Sequence, residues 1–202
     1  MTGQKAIFAT ITRKIYTRNV KLTLYGMLNK GGEIIKSDYI DREFVEHCLY
    51  ALMPANRLVC QLCLDTGLRI DDALSLRTEQ LYAPRVTVIE KKTKKRRSFT
   101  IKKALLAELQ AQAGKVYVFE HRDDVNRHRT RQAVFMDLKR AARAFRIKVN
   151  FSPHSLRKVY AVELMRKYGD IERVRKALNH DNDIVTAIYA MADIYTASRR
   201  RK

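Results

Sequence analysis

The apolar positions of this sequence recur at helical spacing through most of the chain. Between residues 38 and 52 they follow the period that places side chains on one face of an α-helix, at Ile40, Phe44, Val45, Cys48 and Leu49. A second helix is predicted to run to Thr66 and end at Gly67, because glycine adopts the left-handed conformation that closes many helices. Similar patterns predict helices over residues 70–76, 102–113, 130–145, 154–168, 171–178 and about 183–192.

One part of the chain departs from the helical period. Residues 85–90 alternate around Val86 and Val88, and residues 98–101 alternate around Phe99 and Ile101. Alternation of this kind is typical of β-strands. The two stretches flank the cationic segment KKTKKRR, so they predict a β-hairpin with a charged tip. The predicted fold class is mainly α with a small antiparallel β-sheet (α+β).

The sequence divides into a short arm and one larger domain. Residues 1–36 mix polar, basic and β-branched residues without a sustained period. A segment of fewer than about 40 residues rarely folds alone, so we expect a basic N-terminal arm that packs on the main domain or becomes ordered on a partner. Residues 37–202 are expected to form the main domain, which ends in a short basic tail.

The number and distribution of charged residues indicate which kind of partner the protein binds. The 202 residues contain 41 Lys and Arg against 21 Asp and Glu, a formal net charge of +20, and the 46% that are hydrophobic suffice for a folded core. Of the 20 excess charges, 16 lie in three segments without an acidic residue: 1–32, 91–97 and 199–202. Such clustering points to a polyanion, with nucleic acid first. We expect no membrane partner, because no apolar run is long enough to span a bilayer.

The cysteines and carboxylate pairs give little support for a metal site. Three cysteines, an odd number, argue against a disulfide framework and fit a cytoplasmic, reducing compartment. We interpret Cys60 and Cys63 as buried apolar residues, with a zinc or redox site as the alternative. Three acidic pairs could bind magnesium in a nuclease, although two occupy expected helix N-termini, where acids are ordinary: Asp71 with Asp72, Asp123 with Asp124, and Asp181 with Asp183. We therefore expect neither a metal nor a cofactor.

Four short segments in a fixed order carry the candidate chemistry. They are TGLRIDDAL at 66–74, the cationic hairpin, HSLR at 154–157, and His180 with Tyr189 nine residues later. Each has a plain structural alternative, such as a surface arginine, a solvated turn, a helix start or a core aromatic. Their combination in a basic protein resembles the catalytic domain of the tyrosine recombinases, the phage integrase family. The resemblance extends from about residue 40 to residue 191.

The first two boxes of the resemblance concern the middle of the chain. TGLRIDDALSL is similar to the family's first-arginine box, with Arg69 as the arginine and Asp72 as an acid that orients it. EKKTKK is similar to the family's hairpin box, which implies that Lys92 is the catalytic lysine. Three nearby lysines compete with Lys92 for this role: Lys91, Lys94 and Lys95.

The last two boxes lie near the C-terminus. PHSLR matches the H-x-x-R box at His154 and Arg157, and LNHDNDIVTAIY is similar to the closing box, with His180 as the second histidine and Tyr189 as the nucleophile. The glycine that often precedes the closing histidine is Asn179 here, and asparagine also tolerates the left-handed conformation at a helix end.

These residue types suit attack on a phosphodiester without a metal. Arg69 and Arg157 stay charged and donate in planar forks, so they can clamp the non-bridging oxygens. A cationic pocket favours the phenolate of a tyrosine, whose pKa is ordinarily near 10. Either histidine can help to move protons, and a hairpin lysine can protonate the leaving 5′-oxygen. The resemblance implies cutting and rejoining of DNA through a 3′-phosphotyrosyl link, usually in a tetramer.

DNA contacts are expected mainly from the three cationic segments. In the hairpin and tail they are assigned to Lys91, Lys94, Lys95, Arg96, Arg97, Arg199, Arg200 and Arg201. Members of the family commonly carry a separate helical DNA-binding domain ahead of the catalytic one, and residues 1–36 are too short for a core-binding domain of that kind. We therefore expect a grip by the catalytic domain and arm, or help from accessory proteins that bend DNA or set directionality.

The sequence thus predicts a site-specific DNA recombinase, acting as the integrase, invertase or resolvase of a mobile element. It is expected to work on double-stranded DNA as a homo-tetramer, in the cytoplasm and associated with DNA or the nucleoid. Two alternatives remain open. One is DNA relaxation in the manner of a type IB topoisomerase, and the other is a non-catalytic DNA-binding regulator with the same fold.

Overall fold

The structure, a computed structural model, describes residues 37–180 and 183–192. These residues form two compact units, which divide between Tyr160 and Ala161. The first contains helices α1 (Arg42–Leu49), α2 (Pro54–Thr66) and α3 (Ile70–Leu74), a 3-10 helix (Thr78–Tyr82), strands β1 (Arg85–Ile89) and β2 (Arg96–Thr100), and helices α4 (Lys103–Gln112) and α5 (Arg131–Ala144). Helix α6 (Pro153–Tyr168) begins in the first unit and ends in the second, which adds α7 (Ile171–Leu178) and α8 (Asp183–Ala190). The predicted mainly α fold with a small antiparallel sheet is confirmed.

Helix α2 is the centre of the first unit, where it packs against α1, α3 and α4. Its first residue is Pro54, whose fixed φ suits a helix start, and Gly67 closes it in the left-handed conformation with φ 65°. A Cβ at Gly67 would also overlap the ring of Tyr160. Cys60 and Cys63 are fully buried and unpaired, as predicted for core residues. Burial raises the pKa of Cys63 to about 12, so its thiol is neutral at physiological pH.

Strands β1 and β2 form the predicted antiparallel hairpin. Val86 pairs with Phe99, and Val88 pairs with Arg97. The strand β2 begins at Arg96, two residues earlier than predicted, because the cationic segment continues the ladder. The turn of residues 90–95 is closed by backbone hydrogen bonds from Glu90 N–H to Lys95 O at 3.0 Å and from Lys94 N–H to Glu90 O at 2.9 Å.

Helices α1 and α3 depart from their predicted ranges where tertiary hydrogen bonds intervene. Helix α1 begins at Arg42 and not at residue 38, because Asp38 exchanges hydrogen bonds with Asn150, its N–H donating to Asn150 O and its carboxylate accepting from Asn150 N–H. Helix α3 ends at Leu74 and not at residue 76, because Leu76 O accepts from Val118 N–H in an extended pairing.

The second unit is held by the packing of α7 against α8. The carboxylate of Asp170 caps the start of α7 by accepting from Glu172 N–H at 2.9 Å. Asn179 ends α7 in the left-handed conformation, with φ 53° and ψ 41°. Val174 and Leu178 of α7 are fully buried. None of the helices described in either unit is long and apolar enough to cross a membrane.

Candidate active site

Arg69 lies at the junction between the end of α2 and the start of α3. It is the N-cap of α3, in extended conformation, two residues after the left-handed Gly67. Its Nη1 donates to Glu90 Oε2 at 2.7 Å and lies 4.0 Å from Asp72 Oδ2. The side chain is 20% exposed. The guanidinium is therefore held by two carboxylates from one side and reaches solvent from the other.

The two carboxylates beside Arg69 are almost completely buried, with 2% exposure for Asp72 and none for Glu90. Burial raises the pKa of Asp72, and the hydrogen bond from Lys91 N–H at 2.8 Å opposes that rise. Burial alone would also raise the pKa of Glu90, but hydrogen bonds from Thr93 and Arg69 and the nearby positive charges lower it below its usual value. Glu90 is therefore ionised at neutral pH.

Arg157 lies on the second turn of α6 and is 2% exposed. Its Nη1 donates to the carbonyl oxygen of Gly67. The same oxygen accepts from Arg97 Nη1 at 3.2 Å, and Arg97 Nη2 donates to Thr66 O. The carbonyl oxygen of Gly67 thus links helix α6 and strand β2 to the segment that carries Arg69.

His154 is one turn before Arg157 on α6, and part of its side chain is exposed. Desolvation of the ring by the surrounding protein lowers its pKa, and the charges of Arg157, Lys158 and other cations lower it further. The imidazole is therefore neutral at physiological pH. In that state one ring nitrogen can accept a hydrogen bond or a proton while the other donates.

The hairpin turn presents most of its cations to solvent. Lys92, Lys94, Lys95 and Arg96 are exposed. Lys91 is exposed as well, and its Nζ lies 3.0 Å from His128 Nε2. The tip is therefore able to meet an anionic partner with several ammonium groups, of which Lys92 is the candidate proton donor.

Arg97 requires a correction to the sequence prediction. The cationic segment predicts it as a DNA contact, but its side chain is 7% exposed and donates to the carbonyls of Thr66 and Gly67. It also lies 3.6 Å from Glu90 Oε1. Because Arg97 pairs with the buried Val88, it belongs to the inward face of the hairpin. In this structure its guanidinium donates to main-chain carbonyls inside the protein, so Arg97 is not among the exposed cations of the hairpin.

His180 and Tyr189 form a second group, in the unit that contains α7 and α8. Their rings are 5.4 Å apart at 80°, an edge-to-face arrangement. His180 Nδ1 lies 3.3 Å from Thr186 Oγ1 of α8. The left-handed turn at Asn179 directs the chain from α7 to His180. The closing box is therefore a local structure in which the histidine contacts the helix that carries the tyrosine.

The structure brings Arg69, Asp72 and Arg157 to one region of the first unit with the hairpin, and His180 to Tyr189 in the second. Arg199, Arg200, Arg201, Tyr195 and the arm of residues 1–36 lie outside the described residues. Within the described ranges, no three His, Cys, Asp or Glu side chains are grouped so that they could hold a metal ion.

Glu90 is a residue of this site that the motifs did not predict. It contacts Arg69, Thr93 and Arg97 while being fully buried. The available signal was a single acid at the end of a strand, next to six cations and in a segment with no other acid. A buried carboxylate needs positive partners, so that contrast could have indicated its environment.

Chemically, the first unit can hold a phosphate against Arg69 beside a proton donor on the hairpin. The second unit offers a phenol beside an imidazole, which can serve as nucleophile and hydrogen-bond partner.

Comparison with known proteins identifies relatives of this chain. The model of the phage integrase family matches residues 41–194. The integrase of Escherichia phage P2 is 29% identical over 155 residues, which are 77% of this chain and 43% of that protein.

Solved structures of two recombination proteins have a fold similar to that of this chain. The structure of the XerH site-specific recombinase bound to its difH substrate matches 81% of this chain and 53% of XerH, with a TM-score of 0.63 and 19% identity. The catalytic domain of bacteriophage HP1 integrase matches 81% of this chain and 94% of that domain, with a TM-score of 0.55 and 21% identity. The chain thus spans about half the length of the P2 integrase and of XerH.

Proposed function

This chain belongs to the phage integrase family, with the fold of a tyrosine recombinase catalytic domain, and on that premise we propose that it is a site-specific DNA recombinase. The observation that carries the proposal is the arrangement around Arg69. A partly exposed guanidinium is held by buried acids next to an exposed cationic hairpin, and Arg157 is anchored to the same segment. That arrangement suits a phosphodiester better than any small apolar ligand.

In the proposed reaction, Arg69 and Arg157 stabilise the negative charge that develops on the non-bridging oxygens. Both side chains are already positioned by hydrogen bonds before DNA arrives, which reduces the reorganisation needed in the transition state. Arg157 would have to exchange part of its contact with Gly67 O for the phosphate. Neutral His154 would add a hydrogen bond to the phosphate or pass a proton.

Tyr189 is the proposed nucleophile. Its phenolic oxygen forms a bond to phosphorus as the bond from phosphorus to the 5′-oxygen breaks, and Lys92 gives that oxygen its proton. The product is a 3′-phosphotyrosyl link with a free 5′-hydroxyl. Because the link keeps a phosphoester bond, a second 5′-hydroxyl can reverse the step without ATP. His180, in ring contact with Tyr189, would accept or share the phenolic proton.

The proposed partner is double-stranded DNA bound by a tetramer of this chain. The XerH structure is a complex with DNA substrate, and the net charge of +20 gives this chain the electrostatic means to bind DNA. Exchange of strands between two duplexes requires four cleavages, one on each of the four strands. Four active sites therefore suit the reaction. Accessory proteins that bend DNA or set directionality belong to the same proposal.

The test is a covalent-adduct assay on DNA from the genetic element around the gene. Duplexes labelled at a 5′ end and nicked near the cleavage position prevent rejoining, so the protein should be trapped on the labelled strand and shifted in a denaturing gel. The adduct should form in excess EDTA without nucleotide, and mass spectrometry should place the phosphate on Tyr189.

The controls identify the chemistry. Tyr189→Phe removes one oxygen and little volume, so it should bind DNA with affinity within about threefold of the parent protein and yield no adduct. Tyr195→Phe changes the other tyrosine near the C-terminus, so it is the matched control and should still form the adduct. Strict dependence on magnesium, or an adduct that persists in Tyr189→Phe, would contradict the proposal. Release of supercoils without joining to a second duplex would indicate a topoisomerase.

A further inference from the structure

Glu90 stands at the entrance of the hairpin turn and is completely buried. Its Oε2 accepts two hydrogen bonds at 2.7 Å, one from Arg69 Nη1 and one from Thr93 Oγ1. Its other oxygen makes no hydrogen bond to any residue that the structure describes, and it lies 3.6 Å from Arg97 Nη1. One carboxylate oxygen therefore contacts both the first arginine and a side chain of the turn.

The backbone of the turn is fixed around the same residue. Glu90 N–H donates to Lys95 O, and Lys94 N–H donates to Glu90 O. Lys94 takes the left-handed conformation, with φ 58°, which allows the chain to return to β2. Lys92 lies in the middle of this closed turn, with an exposed side chain. The position of Lys92 therefore depends on contacts made by Glu90.

A second acid links the same two segments. Asp72 Oδ1 accepts from Lys91 N–H at 2.8 Å, so the helix that follows Arg69 is joined to the residue before Lys92. Asp72 lies farther from the Arg69 guanidinium than Glu90 does, at 4.0 Å against 2.7 Å. Of the two acids, Glu90 thus makes the shorter ionic contact with Arg69. Glu90 is also the acid that contacts a side chain of the turn.

From these contacts we propose that Glu90 is a positioning residue that holds the Arg69 guanidinium and the turn of Lys92 in one arrangement. The inference rests on the proposed recombinase reaction. Glu90 does not touch DNA in this role and moves no proton. It couples the group that binds the phosphate to the group that protonates the leaving oxygen, so both are in place together. A buried ion pair that merely stabilised the hairpin would not couple these two functions.

Two variants separate the two contacts. Glu90→Gln keeps the shape and one acceptor oxygen but removes the charge that holds Arg69 and weakens the contact with the turn. Thr93→Val removes the hydroxyl from the turn and leaves the ion pair between Glu90 and Arg69 intact. Glu108→Gln is a matched control, because Glu108 makes a surface ion pair with Arg57 at 3.1 Å.

The measurement is the single-turnover rate of adduct formation on two nicked DNAs. One has the ordinary 5′-bridging oxygen at the cleaved bond, and the other has sulfur there. A thiolate is a far weaker base than an alkoxide, so sulfur departs without a proton from Lys92. The Lys92-dependent part of any defect should therefore disappear on the sulfur DNA, while an Arg69-dependent part should remain.

On ordinary DNA, Glu90→Gln and Thr93→Val should each slow adduct formation by about 10- to 100-fold, the scale expected when a reacting group is misplaced by about 1 Å. On sulfur DNA, Thr93→Val should recover to within about threefold of the parent protein, because only the proton transfer was affected. Glu90→Gln should recover in part and stay slower than Thr93→Val. Glu108→Gln should match the parent protein on both DNAs.

Failures of the two proposals give different results. If the parent protein forms no Tyr189 adduct, the proposed function itself is wrong. If the parent protein reacts and Glu90→Gln is as fast, or both variants are slowed equally on the two DNAs, the positioning role is overturned. Thermal unfolding and DNA affinity, measured for each variant, separate these rate effects from loss of folded protein.

Discussion

Arg96 and Arg97 are consecutive residues of β2 with opposite surroundings. Arg96 is exposed, and Arg97 is buried with its guanidinium donating to the carbonyls of Thr66 and Gly67. Alternation along the strand causes this difference, because successive side chains point to opposite faces. The register places Arg97 opposite the buried Val88 and Arg96 opposite the exposed Ile89. Two cations that look equivalent in the sequence therefore differ in surroundings: Arg96 is open to solvent, and Arg97 makes contacts inside the fold.

The two arginines give a prediction at the scale of single residues. Arg97→Ala should lower the free energy of unfolding by about 3 kcal/mol, because it leaves Glu90 with one fewer cation and two carbonyls with one fewer donor. Arg96→Ala should change stability by less than about 0.5 kcal/mol. It should weaken DNA binding and reduce the slope of log K against log salt by about 1. Urea unfolding and fluorescence anisotropy at several salt concentrations measure both effects.

An equal loss of DNA affinity in the two variants, with unchanged stability in both, would contradict this division. It would mean that Arg97 leaves its buried position when DNA binds. The period-two pattern of Arg97, Phe99 and Ile101 contained the information that Arg97 faces inward. The charge of the segment obscured it, because a buried arginine is rare and needs partners that only the folded chain brings together.

The local pattern of apolar and polar residues was sufficient to predict most of the helices and the hairpin. The predicted range of α7 is the observed one, Ile171–Leu178, and α5 lies one residue inside its prediction at each end. Helix α5 starts there because Thr130 accepts from Ala133 N–H and caps it. The errors at α1 and α3 arise from tertiary hydrogen bonds, to Asn150 and from Val118, which no local pattern contains.

The end of α7 gives a prediction at the scale of the element. Asn179 holds a left-handed conformation that costs a side chain free energy, and its Nδ2 is buried with no hydrogen bond in the described part of the chain. Asn179→Gly relieves both costs and should raise the free energy of unfolding by about 0.5–1 kcal/mol. Asn179→Ala, the matched control, should lower it. Urea unfolding is the measurement, with adduct formation as the test that the closing box is intact.

Destabilisation by glycine would contradict that expectation and would show that the asparagine side chain makes a net favourable contribution. The substitution also tests the closing box, because the family often has glycine at this position. If the glycine variant gains stability and keeps the rate of adduct formation, the asparagine at residue 179 is not needed for the reaction.

At the scale of the whole molecule, the sequence could identify the motifs of the candidate site but not how they contact one another. Spacing alone indicated His154 with Arg157 and His180 with Tyr189, because each pair lies within one local segment. The link from Arg69 to the hairpin through Glu90 joins residues 21 positions apart. It depends on how α3 and the turn of the hairpin meet, which is a property of the fold and not of either segment.

The clustered cations near the two ends of the sequence are expected to contribute to the binding of DNA by the entire chain. Residues 1–32 carry six cations and residues 199–202 carry four, without an acid in either segment. If these cations contact phosphates, deletion of residues 2–32 should reduce the slope of log K against log salt by up to about 5, and deletion of the tail by up to about 4. Replacement of the same cations by glutamine should reproduce each change, because counterion release depends on charge and not on chain length. Anisotropy titrations between about 50 and 200 mM salt cover the range in which this term dominates. Slopes that equal that of the full chain in both deletions would show that these cations face solvent in the complex, and would leave the exposed lysines of the hairpin as the main phosphate contacts.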